Sequence, residues 1–113
     1  MNTLTNYGMS KKDIFNAQHS SKSVPEAIDA GLVFEIKGAC IVENGATGRN
    51  GQPCNVGYIA TTNDGVFGFV SDILIKAIPD IIEMLDDDGE TVNARFISGT
   101  SKNGTEYYSI EII

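Results

Sequence analysis

The period of apolar and polar positions changes along the chain. Residues 1–22 hold mostly Asn, Thr, Ser and Lys around one short apolar cluster, Ile14, Phe15 and Ala17, which predicts a flexible N-terminal arm anchored at that cluster. Ser23-Val24-Pro25-Glu26 then predicts one helical turn, with Ser23 at the cap, Glu26 three residues on and Gly31 at the stop. Residues 32–42 are β-branched and aromatic, with Leu32, Phe34, Ile36, Cys40 and Val42 on one side and Glu35 and Lys37 on the other, the pattern of a strand. Gly38 in its middle predicts a bulge or coil, which lets a long first strand bend to serve two sheets. A polar loop containing Asn44, Gly45, Gly48, Asn50, Gly51 and Pro53 leads to a second strand at 54–62. The turn Asn63-Asp64-Gly65 leads to a third at 66–70.

At Ser71 the spacing lengthens. Ile73, Leu74, Ala77, Ile78, Ile81, Ile82 and Leu85 recur every three or four residues, the stripe of an amphipathic helix. Pro79 inside the stripe predicts a kink or a split, and Asp86, Asp87 and Asp88 oppose the macrodipole at the helix end. The chain finishes as a hairpin, residues 91–98 and 105–113 about a turn at 101–104, with Val92, Ala94 and Phe96 alternating with Thr91, Asn93 and Arg95. Three strands, a helix and two strands predict a mainly β domain at 23–113. Its expected form is a five-stranded Greek-key barrel of the oligonucleotide/oligosaccharide-binding (OB) type, with one helix between strands 3 and 4. A half-open sheet with a packed helix is the rival arrangement.

Composition narrows the picture. With 113 residues, 42% of them hydrophobic, the chain can fill one core without a metal or a disulfide, so Cys40 and Cys54 are expected as free thiols. No apolar run is long enough to span a bilayer and no signal peptide is evident, which predicts a cytoplasmic protein without membrane association. A net charge of −7 argues against a protein that blankets duplex phosphates with Lys and Arg. Single strands remain open to it, because base stacking with a few local cations can hold them.

In a barrel of this type the ligand lies on strands 2 and 3, between the loops joining strands 1 to 2 and 4 to 5. The first loop carries Arg49 with Asn50 and Gln52, and the second carries Lys102 with Asn103; Lys37 and Arg95 extend the local positive surface. Phe67 and Phe69 share a strand face. Phenylalanines in a strand are more often core than platform, but Gly68 between them favours residues 66, 68 and 70 inside and the pair outside. Tyr58 and Tyr107 complete the candidate stacking set, Tyr107 because it opposes the apolar Tyr108, Ile110 and Ile112. No catalytic constellation emerges. His19 stands alone, Asp86 to Asp88 read as a solvated turn, and the Gly-rich loop at 45–51 lacks the Gly-Lys-Ser/Thr ending of a phosphate loop. The expectation is a binder with no enzymatic activity and no cofactor or metal.

Ile14-Phe15-Asn16-Ala17-Gln18, Asp64-Gly65, Asp80-Ile81-Ile82, the turn Gly99-Thr100-Ser101-Lys102-Asn103-Gly104 and Tyr107-Tyr108-Ser109-Ile110 resemble the small single-stranded DNA-binding proteins of terminal-protein-primed tailed phages, over about residues 13–113. The resemblance implies a protein that coats single strands exposed during phage DNA replication, without sequence preference. It would act in the bacterial host cytoplasm, with phage replication proteins as further partners. The competing reading is a small protein-interaction module that binds a partner protein through the barrel face or a sheet edge.

Overall fold

The computed structural model describes residues 2–48, 50–88 and 91–113. In chain order the elements are strand β1 (Thr3–Tyr7), helices α1 (Lys11–Ser20) and α2 (Val24–Asp29), strands β2 (Phe34–Thr47), β3 (Pro53–Thr61) and β4 (Val66–Phe69), helix α3 (Asp72–Asp88), and strands β5 (Val92–Thr100) and β6 (Glu106–Ile112). The strands form one antiparallel sheet in the order β4-β3-β2-β5-β6, with β1 paired to β2 off this path.

β2 is the spine. Its first residues pair with β5, Phe34 opposite Ala94 and Ile36 opposite Val92, and the rest pairs with β3, from Ile36 opposite Thr61 to Thr47 opposite Pro53. The register slips between Ile36 and Gly38, so a bulge sits where the sequence predicts one. Gly38 also lets β1 approach: a Cβ there would sit 2.7 Å from the Tyr7 carbonyl oxygen. The slip changes which parity faces inward, from Phe34 and Ile36 to Ala39 and Ile41.

Both faces of the central sheet are covered. On one, Phe34, Ile36, Ile41, Ile59, Phe67, Phe69 and Phe96 pack with α2 and with Leu74, Ile78, Ile81 and Leu85 of α3. On the other, Cys40, Val42, Val56, Tyr58 and Ala60 pack under Met9 and under Ile14 and Ala17 of α1. Each fully buried side chain of this size contributes about 1.5–3 kcal/mol through removal from water.

Several expectations change. Six strands form an open sheet where five strands in a barrel are expected; β4 and β6, the ends of the path, share no ladder. Residues 1–22 are expected as an arm, yet Thr3–Tyr7 is a strand of the sheet and Lys11–Ser20 a helix with a buried face. The cause is local: Ser10 and Asp13 form a reciprocal capping box, and Met9 and Ile14, flanking that cap, are both buried in one cluster. Of the kink or split expected at Pro79, the split does not occur, since α3 runs continuously from Asp72 to Asp88 with Pro79 inside. Its buried residues lie on both sides of the proline, and Pro79 itself faces solvent. No helix among the described residues is long and apolar enough to cross a membrane.

Candidate nucleic-acid interface

The sheet face nominated by the barrel comparison, that of β3 and β4, is not an open surface. Tyr58 is 5% exposed, lies opposite Cys40 and Gly68, and is packed in the cluster under α1. Burial in this apolar layer raises the pKa of both its hydroxyl and the neighbouring thiol. Desolvation moves Tyr58 upward, with a smaller push from Cys40, and pushes Cys40 up to about 11. Both groups therefore stay neutral at physiological pH. Cys54 stands opposite Ala46 instead, and both cysteines are free thiols.

Phe67 and Phe69 face the opposite way from the expectation. They are 1% and 8% exposed and join Phe34 and Phe96 in a cluster with ring centroids 5.1–6.1 Å apart. Val70, expected inside, is exposed. Four interlocked rings remove more apolar area from water than Val66 and Val70 would, and that difference sets the parity of β4. Gly68 points to the α1 side, where a Cβ would meet the Ser21 Oγ at 2.7 Å and the Tyr58 ring at 2.9 Å. Phe67, Phe69 and Tyr58 are thus core residues and offer no ring to a base.

The remaining candidates are at the surface. Tyr107 is 38% exposed, stands opposite Gly99, and lays the phenol end of its ring against that glycine. Ile97 and Arg95 follow it on the same outer face of the β5–β6 hairpin. Arg95 is already engaged by Glu111, Nη2 to Oε2 at 3.0 Å and Nε donating to Oε2 at 3.0 Å. Lys102 is exposed at the hairpin turn, which the Thr105 amide closes by donating to the Ser101 Oγ.

Lys37 lies elsewhere, in a groove of about 240 Å³ lined also by Asp13, Asn16, Ser20, Ala60 and Val66, between α1 and the β3–β4 turn. Arg49 lies outside the described residues. Its neighbour Asn50 spends its side-chain oxygen on the Gln52 amide at 3.0 Å.

The two expected rim loops are not brought together. β5 runs antiparallel to β2 from the start of β2, so the Lys102 turn and the 48–52 loop leave opposite ends of that strand. Among the described residues, no cluster of three or more His, Cys, Asp or Glu could hold a metal ion.

Helix α1 carries exposed groups that strand parity does not point to. Phe15 is 55% exposed, and its ring stacks on that of His19 with centroids 4.5 Å apart. His19 Nδ1 lies 2.9 Å from the Phe15 carbonyl oxygen, which fixes the imidazole against the helix. Lys11 and Lys12 are exposed on the same helix, and Asp13 is tied into the cap by Ser10. Hydrogen bonds from the Ser10 backbone and hydroxyl are the main reason the Asp13 carboxyl sits below its usual range, with Lys37 and Lys12 adding to the effect. The spacing Lys11, Phe15, His19 was legible once Ser10-x-x-Asp13 is read as a helix start. No protein family, curated protein or solved structure matches this chain.

Proposed function

We propose that the protein binds single-stranded DNA without sequence preference, coating strands exposed during phage DNA replication, and that it performs no catalysis. The observation that carries this reading is the strand order. The long strand β2 flanked by β3 and β5, with α3 between β4 and β5, supports reading the sheet as an OB barrel left open between β4 and β6, with β1 added on β2. The exposed ring of Tyr107, with Lys102 at the adjoining turn, supplies the stacking and phosphate contacts that such binding uses. Partial exposure of Tyr107 gives it a place in the site that Tyr58, Phe67 and Phe69 do not have.

Titration with oligo-dT tests this directly through tyrosine emission, because the chain contains no tryptophan. Binding that weakens with salt is expected. Tyr107→Ala should keep its melting temperature and lose affinity by about 1–3 kcal/mol, the usual worth of one stacking platform. Absence of binding at low salt would sink the proposal.

One observation favours the second reading, a module that binds a partner protein. An apolar groove of about 280 Å³ lies between the end of β4 and β6, lined by Val24, Pro25, Phe69, Val70, Leu74 and Tyr108, and among the described residues the outer edge of β6 has no strand partner. An apolar contact of that kind would be insensitive to salt, unlike strand binding.

A further inference from the structure

Helix α1 presents a surface that the proposed function does not yet use. Ile14 and Ala17 face the sheet, and at 100° per residue Lys11, Phe15, His19 and Lys12 fall in sequence around the opposite side. The strip therefore carries both cations in its first turn and the two rings beyond them, about one and two turns along the axis. Phe15, half-exposed and stacked on His19, leaves apolar area in water on the side of the helix turned away from the core.

Charge identifies the occupant. Among the described residues Arg95–Glu111 is the single ion pair within 4.0 Å, so Lys11 and Lys12 have no carboxylate partner there, and the nearest acid in sequence, Asp13, is held in its own capping box. The acidity of the chain is concentrated across the sheet: α3 carries six acidic residues against one lysine. With the ionised Asp13 counted, α1 still carries a net charge of +1 on an acidic molecule, a local excess of cations that favours a polyanion. Flat rings beside the cations select a polyanion with exposed aromatic faces. In a duplex those faces are stacked inside, whereas in a single strand they are free.

We propose that Lys11, Lys12, Phe15 and His19 form a second contact surface for single-stranded nucleic acid, with a base stacked on the Phe15–His19 pair and phosphates on the two lysines. This rests on the single-strand reading above and adds to it a site on a different face from the β5–β6 hairpin.

The absence of tryptophan makes the test local. Phe15→Trp places the sole indole at the site, and its emission is followed while binding is measured independently by the anisotropy of a labelled oligo-dT. Emission should change in step with anisotropy. Phe15→Ala, with an unchanged melting temperature, should bind roughly fivefold or more weakly, in the range of a lost stacking platform. The double variant Lys11→Gln, Lys12→Gln should flatten the slope of log affinity against log salt by about 1.4, two phosphate contacts at ~0.7 each for single strands. If wild type binds but the indole emission stays constant at saturation, or Phe15→Ala binds as tightly as wild type, the α1 site is wrong and the wider function stands. If wild type shows no binding at all, both fall together.

Discussion

Phe67 packs against both Phe34 and Phe96, with its ring centroid 5.4 Å from each, and it is among the largest fully buried side chains of the described residues. Truncation to Ala leaves a cavity lined by rings that cannot collapse onto one another. Phe67→Ala should therefore cost about 3–5 kcal/mol of stability, a large part of the 5–15 kcal/mol typical of a whole domain. Urea denaturation measures this, and the fraction that stays folded should bind oligo-dT like wild type. A variant that keeps its melting temperature and loses affinity would return Phe67 to the surface. Single-residue parity read correctly for Tyr107, because Tyr108 and Ile110 beside it are plainly apolar and one side of the hairpin is solvated. It failed for Phe67 and Phe69 because Val66 and, just past the strand, Val70 put apolar groups on the side opposite the two rings of a four-residue strand. A sheet covered on both faces erases the alternation on which parity depends.

At the scale of elements, α3 and the final hairpin were legible from periodicity alone, and so were β3 and β4 to within a residue at their ends, whereas β2 runs on to Thr47 through residues expected to form a polar loop. β1 was not, since Thr3–Tyr7 pairs through its backbone and no residue in it is fully buried. How closely α3 lies on the sheet was equally hidden. Gly57 in β3 faces the α3 side, and a Cβ there would run into the Phe69 ring and stand 2.7 Å from the Ile78 Cδ1. Neither neighbour has room to withdraw, both being buried in the same core. Gly57→Ala should accordingly destabilise by about 1–3 kcal/mol through overpacking, seen as a lower thermal midpoint. A neutral or stabilising result would mean that α3 can ride outward from β3 without loss.

For the whole molecule the decisive quantity is where its charge sits rather than its total of −7. α3 covers one face of the sheet and α1 the other, so the acidic helix and the lysine-bearing strip are separated by two helix-on-sheet layers, roughly 20 Å. At 0.15 M salt the Debye length is about 8 Å and the two faces are electrostatically independent; at 0.01 M it is about 30 Å and a strand on α1 feels α3. Asp80 and Glu83 are both exposed on α3 and can be neutralised without touching the core. Asp80→Asn with Glu83→Gln should raise affinity for oligo-dT about twofold to fourfold at 0.01 M salt, from a few screened charge pairs at that distance, and leave it unchanged at 0.15 M. Anisotropy titrations at the two salt concentrations measure this. An equal gain at both would place the strand next to α3 instead, on the acidic face. No gain at either would mean that the bound strand lies beyond the reach of that helix even when screening is weakest.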